Sequence, residues 1–321
     1  MDKIIALDIG GTSIKYGLVN SMGEIICKTK RDSNAQKGAL HLLDNVKAAI
    51  RELVQSSSSD GILGVGIATT GQIDHITGKV LFATPTIPNY SGMNIKKIME
   101  AEFGFKTFVE NDVNAATIGE VWKGAGIGGR KVIGITIGTG IGGCIMFDGT
   151  VEHGILGSAG EVGHIIIEYN GRQCNCGNKG CFEQYASSSA LIRDFSERIK
   201  RGETSSVTGI ISKEEEINAQ LIFEAARKGD KLASSVLKMF IEYLGTGLIS
   251  LIHVLNPELI IIGGGISNEG EYLSKKIEDY VNKRIMSSFA RNLRIKTASL
   301  GNDAGMVGAA KIALDGLDFN K

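Results

Sequence analysis

The sequence has few prolines and few aromatic residues, and it has no excess of charge of either sign. Three prolines and one tryptophan occur among 321 residues, aromatic residues make up 6% of the chain, and the formal net charge is zero. A neutral chain offers no surplus of basic side chains to a nucleic-acid backbone or to an anionic membrane. So few aromatic side chains also provide no surface on which bases could stack. We therefore expect small-molecule partners, with neither nucleic acid nor a membrane among them.

Long apolar runs are missing too. The apolar run near the amino terminus ends at Asp8, which is too short for a signal peptide or a membrane span, and we expect no other stretch to reach the length of a spanning helix. We expect a cytoplasmic protein whose thiols stay reduced, so that clustered cysteines would bind a metal rather than form disulfides. The length exceeds that of a usual single domain and indicates two domains.

Glycine, in contrast, is abundant, and the 43 glycines cluster at the ends of apolar segments. Short apolar runs bounded by glycine turns predict β-strands, and runs with helical spacing predict helices between them, which indicates an α/β chain. Strands are predicted at residues 4–9, 14–19, 62–68, 106–110, 131–137 and 259–262, and helices at residues 39–55 and 112–123. Asn111 is placed to cap the second helix, and Gly124 follows its end.

Two glycine turns each join a pair of predicted strands. They consist of Gly10, Gly11 and Thr12, and of Gly138, Thr139 and Gly140. Residues without a Cβ let backbone N–H groups approach phosphate oxygens, so the two turns could hold a triphosphate. Asp8 would hold Mg²⁺, the Thr12 hydroxyl would donate, and Lys15 would offset phosphate charge. Either turn alone could be a hairpin without a ligand, but Gly264 and Gly265 after a further strand favour phosphate binding.

Two strings of glycines satisfy the dinucleotide-binding fingerprint. Their glycines are at positions 124, 126 and 129 and at positions 138, 140 and 143. The first string follows a predicted helix and the second leads into a further strand, whereas the dinucleotide site needs a strand before the glycines and a helix after them. No G-x4-G-K-[ST] string is present either. Neither a Rossmann dehydrogenase nor a P-loop enzyme is indicated.

Three of the five cysteines lie near a histidine between residues 160 and 187. The candidate ligands are His164, Cys174, Cys176 and Cys181. Three thiolates and an imidazole suit tetrahedral Zn²⁺, and such a set leaves no open position for catalysis. We therefore predict a structural zinc that shapes a binding site. Cys27 and Cys144 lie outside this group and are expected to be buried thiols.

Five strings stand in a fixed order along the chain. They are Asp8-Ile-Gly-Gly-Thr-Ser-Ile-Lys15, Glu110-Asn-Asp-Val-Asn-Ala-Ala116, Ile137-Gly-Thr-Gly-Ile-Gly-Gly143, Gly160-Glu-Val-Gly-His164 and Cys174-Asn-Cys-Gly-Asn-Lys-Gly-Cys181. In this order they resemble the ROK family of sugar kinases over nearly the whole chain. The resemblance implies the actin-like (ribonuclease H-like) ATPase fold, with ATP and sugar meeting in a cleft between a smaller and a larger α/β domain.

The resemblance also implies a domain division and an assembly. We expect a small domain of residues 1–114 plus 303–321 and a large domain of residues 115–302. The adenosine of ATP would rest near Gly264 and Gly265, and the family's members suggest a homodimer or homotetramer.

The resemblance implies that Asp112 is the catalytic base, which takes the proton from the 6-hydroxyl of a sugar as that oxygen attacks the γ-phosphate. A sugar hydroxyl is a poor nucleophile, and such a carboxylate accelerates the reaction by about 10²–10⁴-fold. The alternative is that Asp112 only stabilises the start of a helix, where a negative charge interacts favourably with the helix dipole.

Four residues match the positions that bind the other sugar hydroxyls in the family. They are Asn111, Glu161, His164 and Glu183. His164 would bind zinc through one ring nitrogen and direct the other at the sugar.

The remaining histidines lie in no such motif and receive no role; they are His41, His75, His153 and His253. Trp122 is predicted to be a packing residue.

The ROK family also contains transcriptional repressors, which carry a DNA-binding segment before the sugar domain. Asp8 follows the start so closely that we expect no such segment, and a kinase is favoured over a non-catalytic sugar-sensing module. The family phosphorylates glucose, N-acetylmannosamine, fructose, allose and certain β-glucosides. The loops at residues 69–78 and 82–93 slightly favour N-acetylmannosamine, while the intact cysteine motif, shared with glucokinases, keeps glucose as the alternative.

Overall fold

The computed structural model describes residues 2–57, 61–211, 213 and 216–318. The strands in chain order are β1 Lys3–Ile9, β2 Ser13–Asn20, β3 Ile25–Asp32, β4 Ile62–Thr69, β5 Gln72–Asp74, β6 Lys79–Phe82, β7 Thr107–Asn111, β8 Lys131–Ile137, β9 Ile141–Phe147, β10 Thr150–Val151, β11 Leu259–Gly263 and β12 Arg294–Thr297. The helices are α1 Ala39–Ser57, α2 Ile95–Phe103, α3 Asp112–Lys123, α4 Glu183–Ala186, α5 Ser188–Lys200, α6 Ala219–Arg227, α7 Lys231–Leu255, α8 Glu271–Asn282, α9 Ser287–Ala290 and α10 Ala304–Asp318. Each strand and helix predicted above is present, with its ends changed by at most two residues.

The chain divides into two compact units. The first unit comprises Met1–Gly129, Gly149–Ala159 and Asn302–Lys321, and the second comprises Arg130–Asp148 and Gly160–Gly301. Residues 319–321, which belong to the predicted small domain, lie outside the described residues.

A five-stranded sheet in the order β3-β2-β1-β4-β7 forms the centre of the first unit. β1 runs antiparallel to β2 and parallel to β4, which runs parallel to β7. β1 and β4 are buried along most of their length, as expected for strands covered on both faces.

The two cysteines outside the predicted metal cluster differ in exposure. β3 forms an edge and is largely exposed, so the prediction of a buried thiol was wrong for Cys27. Cys144 on β9 is buried as predicted.

Small residues let α10 pack closely against β4 and α3. A Cβ atom on Gly66 would lie 1.9 Å from the Ala309 carbonyl oxygen, and one on Gly308 would lie 1.7 Å from the Ala115 carbonyl oxygen. Neither position accepts any side chain without moving backbone. Trp122 packs against the same apolar cluster, which confirms its predicted packing role. α3 is therefore held to the sheet through α10.

The second unit contains a sheet in which β9, β8, β11 and β12 are neighbours in that order. β8 pairs antiparallel with β9, and β8, β11 and β12 run parallel. The 25-residue helix α7 is long and apolar enough to cross a membrane by length and composition, so the expectation that no stretch reaches that length was wrong. More than half of its most apolar window is buried, and Phe240, Leu244 and Leu248 belong to the core. A core helix of a globular protein has the same composition.

Candidate active site

The β1–β2 hairpin groups the predicted phosphate and magnesium residues of the first unit. The Gly10 N–H closes the turn with a hydrogen bond of 2.9 Å to a carbonyl three residues on. Asp8 lies opposite Lys15 in the strand register, and Lys15 Nζ is 3.1 Å from Asp8 Oδ2. Gly11 and Thr12 form an exposed tip, and a Cβ on Gly11 would meet no atom within 4 Å. The turn therefore has open space in front of its backbone and an ion pair beside it.

Asn111 caps α3 as predicted. Its Oδ1 accepts the backbone N–H groups of Val113 (2.9 Å) and Asn114 (3.1 Å), which would otherwise lack a partner at a helix start. Its Nδ2 donates to the Gly71 carbonyl oxygen at 3.0 Å. An amide nitrogen has two hydrogens. The Asn111 side chain is thus held in one orientation and has a further N–H with which to bind a ligand.

Asp112 is the first residue of α3 and is half-buried. Burial, and next the negative charge of Asp8, raise the pKa of Asp112 to about 6. Tyr90 is buried nearby with its hydroxyl 2.7 Å from Thr69 Oγ1, and burial raises the pKa of Tyr90 far above its ordinary value. Tyr90 and Thr69 belong to the two loops predicted to select the sugar. Asp112 is therefore a carboxylate with an increased proton affinity that remains ionised at pH 7.

The glycine turns of the second unit lie next to each other. The Gly138 N–H donates to the Gly140 carbonyl oxygen at 3.0 Å, with Thr139 exposed at the tip. Gly264 has φ of 82°, and a Cβ there would lie 2.4 Å from the carbonyl oxygen of the last residue of β8. Only glycine combines this conformation with so close an approach. A Cβ on Gly265 would meet no atom within 4 Å, so the backbone of this turn also faces open space.

The four predicted metal ligands converge. One ligand atom from each of His164, Cys174, Cys176 and Cys181 lies within 4.8 Å of the other three. Cys174 Sγ is 3.7 Å from His164 Nδ1, and the Sγ atoms of Cys176 and Cys181 are 3.6 Å apart. The backbone N–H of Asn178 lowers the pKa of Cys176 to about 7, which favours the thiolate that binds metal. Three sulfurs and one imidazole in this space suit Zn²⁺.

The two predicted sugar-binding glutamates have different surroundings. Glu183, the first residue of α4, has Oε1 3.2 Å from Cys174 Sγ and 3.9 Å from His164 Nδ1. Glu161 is exposed and is joined to His164 through the backbone, since its carbonyl oxygen accepts the His164 N–H at 3.1 Å. The structure thus places Glu183 beside the cysteine and histidine cluster, and Glu161 one turn before His164.

A buried polar network next to Asp112 was missed in the sequence. Glu110 Oε1 accepts the Asn111 N–H (2.8 Å) and the Asn114 side-chain amide (3.0 Å), and His153 Nε2 lies 2.7 Å from Glu110 Oε2. His75 stacks on His153. Glu110 belongs to a recognised string, but His153 is 43 residues away along the chain. No local pattern connects the two residues, so no sequence signal could have paired them.

Comparisons with known proteins assign nearly the whole chain to one family. A model of the ROK family matches residues 4–316. The chain belongs to the ROK family. A glucokinase from Thermotoga maritima is 36% identical over 310 residues, which cover 97% of this chain and 96% of the glucokinase. A xylose repressor from Caldicellulosiruptor bescii is 31% identical, and the match covers 99% of this chain and 79% of the repressor.

Solved structures of the ROK family have the same fold. A ROK family glucokinase from Streptomyces griseus, in complex with glucose and AMPPNP, superposes with a TM-score of 0.83 at 34% identity, covering 98% of this chain and 99% of that one. The ROK hexokinase from Thermus thermophilus gives a TM-score of 0.83 at 27% identity, with 99% of each chain covered. The predicted fold class, a two-domain actin-like ATPase fold of α/β type, is confirmed.

Proposed function

We propose that the protein is an ATP-dependent carbohydrate kinase that transfers the γ-phosphoryl group of ATP to the 6-hydroxyl of a hexose. The observation that carries the proposal is Asp112, an ionisable carboxylate with a pKa of about 6 at a capped helix start, in the same unit as the Asp8 hairpin. Membership of the ROK family, with glucokinases among its relatives, supports it.

Asp112 would act as the general base. A base with a pKa near 6 is ionised at neutral pH and still has appreciable affinity for a proton, which is the combination that general-base catalysis needs. Its anchoring by the cap of Asn111 supports this role, because a fixed carboxylate can orient the attacking hydroxyl as well as accept its proton.

The glycine turns would bind ATP. The open backbone around Gly11 and around Gly138 supports contacts with phosphate oxygens, and the turn of Gly264 and Gly265 would lie against the adenosine. Asp8 would hold Mg²⁺, which neutralises charge on the phosphates during transfer, and Lys15 beside it would add a further positive charge.

The cysteine and histidine cluster would hold a structural Zn²⁺. The donor set fits this ion. Because His164 approaches the sulfurs through Nδ1, a bound metal would fix the ring and leave Nε2 on the opposite side for a sugar hydroxyl. Asn111, Glu161 and Glu183 would bind the remaining hydroxyls.

We propose glucose as the acceptor. The glucokinase relative and the intact cysteine cluster support it. N-acetylmannosamine is the second candidate, favoured by the string Thr69-Thr-Gly-Gln72 and by the loop that contains Tyr90. Three further points remain predictions. They are a small domain of residues 1–114 plus 303–321, assembly into a homodimer or homotetramer, and a cytoplasmic location.

An assay of ADP formation with glucose, N-acetylmannosamine and other hexoses side by side tests this proposal. We expect sugar-dependent ADP formation, with glucose giving the highest kcat/KM, and phosphate located on the 6-oxygen of the product by ³¹P–¹H correlation. The repressor relative supports a sugar-sensing module as the candidate of another class. Calorimetric sugar binding without any ADP formation would favour that module and overturn the kinase.

A further inference from the structure

Glu110 fixes the junction between β7 and α3. Its side chain is buried, and a single carboxylate oxygen accepts two hydrogen bonds, from the Asn111 N–H and from the Asn114 side chain. These two residues flank Asp112 on either side of the helix start. A buried carboxylate needs donors for its remaining lone pairs and a balancing charge. The second oxygen of Glu110 must therefore have a partner.

His153 is that partner. Its Nε2 lies 2.7 Å from Glu110 Oε2, and the two side chains are only 16% and 5% exposed. Since a carboxylate oxygen accepts, Nε2 donates. A hydrogen bond to the Val151 backbone also favours the protonated ring, because an imidazolium donates from both nitrogens. Burial opposes this charge, but the hydrogen bond with Glu110, the negative charges of Glu110 and Glu152 and the Val151 backbone together outweigh burial and raise the pKa of His153.

His75 covers the His153 ring. The ring centroids are 3.7 Å apart with planes inclined by 11°, and His75 is exposed on its outer side. Burial, and next the charge of His153, lower the pKa of His75, which favours the neutral form of the outer ring. The other charges that act on the pair are those of Glu152, close to His153, and of Asp74, close to His75. His75 follows β5, within the loop of residues 69–78.

We propose that His153 is a positioning residue for Asp112, acting through Glu110, with His75 as its cover. The proposal rests on the proposed function, in which Asp112 is the base. His153 hydrogen-bonds to Glu110, and Glu110 accepts hydrogen bonds from the Asn111 N–H and the Asn114 side chain, on either side of Asp112. These contacts keep the carboxylate of Asp112 in a fixed position relative to its substrate. Loss of the His153 proton at alkaline pH removes one donor and the charge that balances Glu110, so turnover falls.

Two substitutions separate positioning from packing. His153→Leu removes the hydrogen bond, and we expect kcat for the sugar to fall roughly ten- to a hundredfold, more than KM changes, because small misplacements of a catalytic group have effects of this size. His153→Gln keeps an N–H donor that does not titrate. We expect His153→Gln to retain most of the turnover at neutral pH. As pH rises above 6.5, the ordinary pKa of histidine, kcat of the wild type should decline, whereas kcat of His153→Gln should not. His253→Leu, at an exposed histidine of α7, is the matched control.

The backbone amide resonance of Asn111 reports the network without turnover. In ¹H–¹⁵N spectra of the full chain, the Asn111 resonance should shift with pH as His153 titrates. In His153→Gln this pH-dependent shift should be absent. Unchanged kcat in His153→Leu, or an Asn111 amide that does not follow His153, would overturn the inference. Asp112→Asn keeps the two tests apart: if it retains wild-type turnover, Asp112 is not the base, and the catalytic role given to it in the proposed function fails. If it is inactive while His153→Gln keeps the wild-type pH dependence, only this inference fails.

Discussion

Glu183 Oε2 lies 2.6 Å from the position that a Cβ atom on Gly140 would occupy. Only glycine at position 140 leaves room for this carboxylate in its place beside Cys174 and His164. The glycine turn between β8 and β9 is thereby sterically coupled to the start of α4 and to the cysteine and histidine cluster. A turn proposed to bind phosphate and a carboxylate proposed to bind sugar thus depend on each other's geometry.

Gly140→Ala should weaken sugar binding without unfolding the protein. The added methyl group meets the flexible end of Glu183, which can rotate away, so we expect the thermal midpoint to change little while KM for the sugar rises roughly tenfold, the value of one lost hydrogen bond to a charged group. Gly209→Ala, where an added Cβ meets no atom within 4 Å, is the control. Equal KM values in the two variants would contradict the steric coupling.

Asp112→Asn should greatly slow turnover and retain sugar binding. Asparagine keeps the shape of the side chain but cannot accept the proton, so kcat should fall by about 10²–10⁴-fold. Calorimetry should give a sugar dissociation constant close to that of the wild type. An Asp112→Asn protein with wild-type kcat would exclude Asp112 as the base.

The same substitution should stabilise the fold at neutral pH. The pKa of Asp112 is about 6 in the folded protein and 3.8 in a model peptide, so the ionised carboxylate is less favourable in the folded state than in the unfolded state. Asparagine removes that penalty. We expect a higher free energy of unfolding for Asp112→Asn at pH 7, with an advantage that shrinks as pH falls from 6 toward 4. Denaturant titrations at several pH values measure it.

The pH dependence of kcat/KM should report the ionisation of Asp112 in the free enzyme. The carboxylate is the active form, so kcat/KM should decline on the acid side around pH 6, where burial and the charge of Asp8 place the pKa. An ordinary aspartate would give a decline near pH 4 instead. Observation of that lower value in the wild type would contradict the raised pKa of Asp112.

Cys176→Ser should lower metal content and sugar affinity together. Loss of one thiolate leaves an incomplete ligand set, so the metal is bound less tightly. His164 would then no longer be fixed in one orientation by the metal. We expect less than one zinc per chain by mass spectrometry and a higher KM for the sugar. Cys27→Ser, at an exposed thiol outside the cluster, should change neither quantity. A Cys176→Ser protein that lacks zinc but has wild-type kinetics would show that the metal does not shape the sugar-binding site.

Much of this protein can be predicted from local features of the sequence. The strands around residues 4–9 and 131–137 follow from apolar runs that end in glycine, and the start of α3 follows from Asn111, because capping involves only neighbouring residues. The cysteine spacing likewise indicated the cluster that forms around His164. In these cases the residues that interact lie within a few positions or belong to one recognisable string.

Only the tertiary structure decided the remaining features. The exposure of Cys27 depends on β3 forming an edge of the sheet, and the burial of α7 depends on the core that surrounds it. The pairing of Glu110 with His153 and the raised pKa of Asp112 beside Asp8 join residues that are distant along the chain. Periodicity and capping record short-range preferences of the backbone, whereas proximity, burial and electrostatic coupling arise only when separate segments pack together.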